Sequence, residues 1–213
     1  MTKPFLTALL LVLPVAAQAH EVWIERDGNG PARIYLGEPA EVPPPGGDPE
    51  FAKLKAPIIL GRSGKAPARP VLIRRAGYLE AAVPVGDVHA WDDRVFAPWG
   101  PAGKQETVVY YARAGRTTAA TRLPFEIAPE APDASRFVLR RDGRPVPNAA
   151  VTLVTPARRE VKLTTDDRGA FDVPTPDKGR YLLTAARQDG PATIAGNPVA
   201  VVHRITTTTF VAP

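Results

Sequence analysis

The segment RFVLRRDGRPVPNAAVTLVT, residues 136–155, decides the fold class. Two runs rich in Val and Leu flank the dipeptide Asp142-Gly143. An Asp-Gly pair favours the tight turn of a β-hairpin, because both central residues of that turn need a positive φ. The segment therefore predicts two antiparallel strands joined by a short turn.

Runs of strand-forming residues between turn residues recur through the whole chain. Among its 213 residues are 25 Pro and 17 Gly, which interrupt most stretches long enough for a helix. Runs rich in Val, Ile and Thr lie between these interruptions, a pattern typical of all-β proteins. We predict an all-β fold with two β-sandwich domains after a cleaved signal peptide, the first domain being immunoglobulin-like.

The segment APEAPDAS, residues 128–135, is the candidate linker between the two domains, because it holds two prolines and few large apolar residues. The predicted domains are 20–130 and 131–213. The second of them contains roughly six or seven strand-like runs, which is enough for a small sandwich.

The first nineteen residues have the three-part pattern of a secretory signal peptide. Lys3 supplies the positive charge, an apolar run follows from Phe5 to Ala17, and Ala17-Gln18-Ala19 matches a cleavage site. The apolar run is short for a retained membrane anchor. We therefore predict a signal peptide over 1–19, cleavage after Ala19 and a periplasmic location.

Cleavage at that point makes His20 the first residue of the mature protein. Its free α-amine, with a pKa of about 7.7–8, and the Nδ1 of its own imidazole can close a chelate ring on a metal ion. One further imidazole completes the arrangement called a histidine brace, which suits copper(II) best and nickel(II) next. The chain has no Cys and a single Met, the initiator, so thiolate and thioether sites are excluded. The alternative, that cleavage exposes a histidine by chance, stays open.

Few residues are available to complete such a site, since the chain has only three histidines. His203 lies in the strand-like run VAVVHRITTTTF, and His89 lies in GDVHAWDDRVFAPWG. Asp92 and its neighbour Asp93 could give an oxygen donor or orient an imidazole. Each of these histidines taken alone is more typical of a structural residue than of a ligand.

Three motifs of the second half resemble the transthyretin-like or carboxypeptidase-regulatory sandwich. They are Gly-x-Pro-x-x-x-Ala-x-Val from Gly143, Thr-Thr-Asp-x-x-Gly-x-Phe from Thr164 and Gly-x-Tyr-x-Leu-x-Ala from Gly179. The resemblance implies a transthyretin-like fold for residues 131–213, in which the glycines form turns and the large apolar residues fill the core.

The start AHEVWIE and the ending YLLTAARQ…HRITTTTFVAP resemble a family of bacterial periplasmic proteins long labelled as nickel-uptake or cobalt/nickel-transport components. The resemblance covers nearly the whole mature chain and is weakest in the middle. It implies a metal-handling periplasmic protein and carries the functional histidines over to His20 and His203. It has no motif at His89.

The leading expectation is a non-enzymatic periplasmic protein that binds one copper(II) or nickel(II) ion per chain for uptake, delivery or buffering. Its expected partners are the metal ion and an inner-membrane metal transporter. Two alternatives stay open: a copper-dependent oxidative enzyme acting on polysaccharide, and a metal-free adhesion or scaffold module. The arginines are scattered pairs in a chain of formal charge +5, which indicates a solvated basic surface and no nucleic-acid partner.

Overall fold

The structure is a computed structural model that describes residues 20–61 and 67–213. The predicted signal peptide, 1–19, lies outside these described residues. Almost all regular structure in them is β, so the predicted all-β sandwich class is confirmed. The finer immunoglobulin-like and transthyretin-like assignments stay predictions. Among the described residues, no helical segment has the length and hydropathy that a membrane span needs.

In its described residues, 20–61 and from 67 onward, the first half of the chain forms nine strands and one 3₁₀ helix. The strands are β1 (Glu21–Glu25), β2 (Ala32–Gly37), β3 (Ile58–Leu60), β4 (Pro67–Ala68), β5 (Leu72–Arg74), β6 (Leu79–Ala81), β7 (Val88–Asp92), β8 (Glu106–Ala114) and β9 (Phe125–Pro129). The 3₁₀ helix is Pro49–Lys53.

The second half forms nine further strands. They are β10 (Arg136–Arg141), β11 (Arg144–Pro145), β12 (Ala150–Val154), β13 (Glu160–Thr164), β14 (Ala170–Asp172), β15 (Gly179–Asp189), β16 (Ala192–Ile194), β17 (Asn197–Val199) and β18 (Val201–Ala212). The predicted turn is confirmed, since Asp142 and Gly143 connect β10 to β11 with φ of 50° and 76°. The Val-rich run predicted as the second strand of the hairpin instead forms β12, which pairs with β13 and β15 in the central sheet, and only the two residues of β11 pair with β10.

Most strands form three layers. The central sheet has eight strands in the order β13-β12-β15-β18-β8-β7-β3-β4. The front sheet, β1-β2-β6-β5, lies against one face of the central sheet, and the back sheet, formed by β9, β10, β11 and β14, lies against the other. Strands β16 and β17 form a separate hairpin.

Successive side chains of β8 point alternately into the two hydrophobic cores, one on each face of the central sheet. Val108 and Tyr110 belong to the front core, whereas Val109 and Tyr111 belong to the back core. Because successive side chains of a strand point to opposite faces, one strand supplies both cores. This explains why eight of the nine residues of β8 are buried.

The two predicted halves share the central sheet. Strands β8 and β18 pair in parallel over nine residues, from Val201 opposite Glu106 to Thr209 opposite Ala114. The predicted boundary at residues 130 and 131 falls between β9 and β10, which also pair with each other. The back core mixes residues of both halves, so the halves are joined through a sheet as well as through a linker.

Three of the four consecutive threonines of β18 connect the layers. Thr207 and Thr209 donate their hydroxyls to the carbonyls of Val22 and Ile24 in β1, at the front. Thr208 donates to the carbonyl of Ile127 in β9, at the back, at 2.7 Å. The run TTTT was predicted only as a strand. Its alternating hydroxyls also satisfy carbonyls of strands that lie on opposite faces of the central sheet.

Candidate functional site

The segment that follows the predicted cleavage point is firmly held. The alternation in HEVWIER predicts a strand, and β1 confirms it, with Val22 and Ile24 buried in the front core. The hydroxyls of Thr207 and Thr209 hold the same strand to β18. His20 immediately precedes β1, so its backbone is attached to an ordered strand and not to a frayed end.

The imidazole of His20 lies between two carboxylates. Its Nε2 is 3.2 Å from Asp48 Oδ2, and its Nδ1 is 3.8 Å from Glu50 Oε2. The His20 side chain is 26% exposed, so solvent and ions can reach it. The ring of Phe96 lies 6.3 Å from the imidazole, centroid to centroid, and covers one side of it. A partly exposed histidine with a carboxylate at each ring nitrogen has the donor types that bind a divalent transition-metal cation.

The 3₁₀ helix fixes both carboxylates. Asp48 caps its start and accepts a hydrogen bond of 2.7 Å from the backbone N–H of Glu50. A side chain at Gly37 would be crowded, because its Cβ would lie 3.2 Å from the Cβ of Asp48. Asp48 therefore lies directly against the end of β2. The sequence of this segment, EVPPPGGDPE at 41–50, predicts only a loop, because three consecutive prolines and two glycines interrupt regular structure. Asp48 and Glu50 were therefore missed as ligand candidates.

A signal for this turn was present in the sequence. Asp48 precedes Pro49, and an Asp at the N-cap followed by Pro at the first position is typical of a helical start. This pattern places Asp48 and Glu50 on one helical turn. It does not place them beside His20, because the distance from this turn to His20 depends on the long-range pairing of the strands in the front sheet.

More carboxylates surround this group. Burial raises the pKa of Glu21 to about 7, and no described residue donates a hydrogen bond to its Oε2. The pKa of Glu38 is also raised, first by burial and then by the nearby carboxylates of Glu41 and Asp48, although the charge of His20 opposes the shift. The surroundings of His20 are thus acidic in a protein whose formal charge is +5.

His203 lies on the same face of the central sheet as His20 but has partners of its own. Its Nε2 is 2.6 Å from Glu106 Oε2, and its ring stacks on Trp99 with centroids 5.6 Å apart. The bonds from β18 to β1 place His20 near the level of Ile205, and His203 lies two residues, about 7 Å, further along β18.

His89 belongs to a buried charge network on the opposite face. It is 2% exposed, and its Nε2 is 3.1 Å from Glu126 Oε1. Arg113 donates to Glu126 at 2.9 Å and to Asp87 at 2.6 Å, and all of these side chains are buried. Burial by itself would raise the pKa of Glu126, but His89 and Arg113 outweigh it and lower that pKa.

His89 and His203 are too far apart to bind one ion. They pair with Arg113 and Val108 of β8, five residues apart, which corresponds to about 17 Å along the strand. Their side chains also face opposite sides of the central sheet, because Val108 belongs to the front core and Arg113 contacts the back-side Glu126. The predicted ligand set of His20, His203, His89 and Asp92 is therefore not assembled at one point.

Asp92 lies at the end of β7, on the front face opposite Tyr110. It is 6% exposed, and burial raises its pKa to about 6, with the charge of Asp93 contributing. Its Oδ1 accepts a hydrogen bond of 2.8 Å from the N–H of Arg94, which closes a turn. Burial and the charges of Glu21, Glu50 and Asp92 raise the pKa of Tyr110, so Asp92 faces the same acidic region as Glu50.

Within residues 20–61 and 67–213, no group of three or more His, Asp or Glu side chains is arranged to hold a metal ion by itself. At His20 the reason is visible: Asp48 and Glu50 lie at different ring nitrogens. An ion bound at one nitrogen meets only one of these acids, so any site here needs another donor. No family model matches the chain, and no curated protein or solved structure is detectably similar to it.

Proposed function

We propose that the mature protein is a non-enzymatic periplasmic protein that binds one copper(II) or nickel(II) ion through His20. The observation that carries the proposal is the position of the His20 imidazole between Asp48 and Glu50. In the precursor the backbone nitrogen of His20 is an amide. Removal of residues 1–19 would convert it into an amine, which is the missing donor.

The two carboxylates suit different roles. The α-amine and Nδ1 of one histidine close a six-membered chelate ring, which leaves Nε2 to carry the proton. Asp48, 3.2 Å from Nε2, accepts that proton in a hydrogen bond and fixes the ring orientation, as carboxylates commonly do behind metal-bound histidines. Asp48 is therefore a positioning residue in this proposal.

Glu50 supplies the third donor. Its Oε2 is 3.8 Å from Nδ1, and two metal–ligand bonds of about 2.0–2.2 Å can bridge that separation. Two nitrogens and one carboxylate oxygen suit copper(II) and nickel(II). A site of three nitrogens would instead need His203, whose imidazole is held by Glu106 and Trp99.

The charge distribution supports a cation at this position. Glu38, Glu41 and Asp48 add negative charge near His20, and burial together with the charges of Glu41 and Asp48 raises the pKa of Glu38. A bound dication relieves this repulsion and is attracted into the region. A role in metal uptake, delivery or buffering, with an inner-membrane transporter as acceptor, follows as part of the proposal.

The test compares copper(II) affinity, by competition with a chelator of known affinity, for protein that begins at His20 with a free α-amine and for the same protein with that α-amine acetylated. We expect acetylation to weaken binding at least 100-fold, because it converts the amine into an amide and introduces no new amine donor. Unchanged affinity would contradict the proposal. Glu50→Gln and Asp48→Asn should each weaken binding about tenfold, whereas Glu130→Gln, on the distant back sheet, should leave it unchanged.

The same measurements separate the alternatives. If His203→Ala weakens binding and Glu50→Gln does not, the third donor is an imidazole and the site is the three-nitrogen brace. Oxygen consumption by the copper-loaded protein with ascorbate and a glycan would favour the oxidative enzyme. A mature protein with no measurable affinity for either metal would favour the adhesion or scaffold module.

A further inference from the structure

A second feature of the molecule is a cleft between the front sheet and the β12–β15 side of the central sheet. It encloses about 650 Å³, which is within the usual range of small-molecule sites, about 300–1,000 Å³. Val154 and Leu182 line the wall formed by the central sheet, and Trp23 and Tyr35 line the opposite wall.

The wall formed by the front sheet is a row of three aromatic rings. Trp23 and Tyr35 are register partners on β1 and β2 and stack with centroids 5.1 Å apart. Tyr78 continues the row, 5.3 Å from Tyr35. All three are only partly buried, on the face of the sheet that points away from the front core. They form a stiff apolar wall, since each ring supports its neighbour.

The loop 38–49 forms the roof of the cleft and is held at both sides. On one side Arg158 donates to the carbonyls of Pro39 and Glu41. On the other side Gly47 touches Gly77 so closely that a Cβ on Gly47 would lie 2.3 Å from the Gly77 Cα. The cleft is thus defined by residues that are fixed in place, which favours a preformed site.

The side chains that line the cleft carry more negative charge than positive charge. Its two arginines are engaged within the protein: Arg180 contacts Glu25 and Asp27, and Arg158 binds backbone carbonyls. Glu38, Glu41 and Asp48 line the other end. The Oε2 of Glu38 is buried, and no described residue donates a hydrogen bond to it. The Glu38 carboxyl also lies within hydrogen-bond distance of Glu41, so two acids crowd each other at this end of the cleft, and a cationic ligand would relieve their repulsion.

We propose that this cleft binds an organic cation: an apolar body lies against Trp23, Tyr35 and Tyr78, and an ammonium or guanidinium group meets Glu38 and Glu41. The source can be a free amine or the side chain of a basic peptide, which share this chemistry. The inference goes beyond the proposed metal function and does not rest on it, because none of these residues contributes a donor to the ion at His20.

The test uses mature protein with an additional glycine before His20 and with EDTA present, so that metal plays no part. Binding of 2-phenylethylamine, 2-phenylethanol and 3-phenylpropionate is measured by calorimetry and by quenching of Trp fluorescence. We expect the amine to bind at least tenfold more tightly than the alcohol or the carboxylate. Equal binding of the three compounds, or binding of none up to millimolar concentration, would overturn the proposal.

Two variants test the assigned carboxylates, and a peptide tests the source of the cation. The double variant Glu38→Gln/Glu41→Gln should weaken amine binding at least fivefold, whereas Glu130→Gln should not change it. An unaltered affinity in the double variant would refute the assigned carboxylates. A Gly-Phe-Lys amide peptide tests the second source: tighter binding than the free amine assigns the cleft to peptide side chains, and weaker binding assigns it to small amines.

Discussion

The hydroxyl of Thr207 donates a hydrogen bond of 2.8 Å to the carbonyl oxygen of Val22, so the last strand of the chain holds the first. Strand β1 is the edge of the front sheet, and its outer carbonyls have no strand beside them. Thr209 binds the carbonyl of Ile24 in the same way. The threonine run therefore positions His20 by fixing the strand that immediately follows it.

Replacing Thr207 by Val should destabilise the protein. The substitution keeps the shape of the side chain but leaves the buried carbonyl of Val22 without a donor, which costs about 1–2 kcal/mol. In a protein of this size that cost corresponds to a decrease in Tm of about 2–8 °C. Thermal unfolding followed by circular dichroism measures it.

Thr206→Val is the matched control for this substitution. Thr206 is equally buried, but its Oγ1 has no hydrogen-bond partner among the described residues. Removing that hydroxyl should leave Tm unchanged or increase it. Equal losses in both variants would mean that the hydroxyls do not hold β1.

Replacing Glu126 by Gln should be among the most destabilising single changes. Glu126 accepts hydrogen bonds from Arg113, from His89 and from the backbone N–H groups of Arg122 and Leu123, at 0% exposure. Removing its charge leaves the buried guanidinium of Arg113 without this partner, at a cost of about 3 kcal/mol or more.

Denaturant unfolding tests the prediction for Glu126. The midpoint should fall while the m-value stays constant, since the surface exposed on unfolding is the same. Glu130→Gln, a change of the same chemistry at a 55% exposed position of the back sheet, should cost no more than about 0.5 kcal/mol. A loss for Glu126→Gln as small as the loss for Glu130→Gln would contradict the structural role of the network.

Replacing Asp92 by Asn should change the dependence of stability on pH. Because burial raises the pKa of Asp92 from 3.8 to about 6, the folded protein holds a proton between these values that the unfolded chain has lost. The free energy of unfolding therefore decreases as pH rises from about 4 to 6. Asn imitates the neutral acid and retains the oxygen that accepts from Arg94.

Urea unfolding at two pH values checks the prediction for Asp92. At pH 8 the Asn variant should be more stable than the parent by about 1–3 kcal/mol, and below pH 4 the two should be equal. A variant that is less stable at pH 8 would show that the ionised carboxylate has a partner that stabilises it.

The sequence was sufficient for the elements whose signals are local. Alternation predicted β1 with Val22 and Ile24 inward, and Asp142-Gly143 predicted the turn between β10 and β11. The parallel pairing of β8 with β18 was not predictable in this way, because it joins segments about a hundred residues apart through backbone hydrogen bonds that leave no pattern in either segment.

The candidate site was predictable to the same limited extent. His20 follows from the cleavage pattern, but its neighbours depend on how the front sheet brings the end of β2 and the 3₁₀ helix to the start of β1. The scarcity of histidine pointed to His89 as a ligand. In the structure the partner of His89 is Glu126, a residue whose buried carboxylate could not be recognised from FEIAP alone.

Gly47→Ala should weaken both the structure of the roof loop and metal binding at His20. Its Cβ would lie 2.3 Å from Gly77 Cα, so the loop must move, and Asp48 moves with it.

Gly46→Ala is a close control, because Gly46 has the same φ of +91° but nothing within 4 Å of an added Cβ. Both variants incur the cost of a positive φ, about 1 kcal/mol. Only Gly47→Ala should also reduce copper(II) affinity, about tenfold, through the displaced Asp48. Equal affinities in the two variants would show that the contact with Gly77 does not position Asp48.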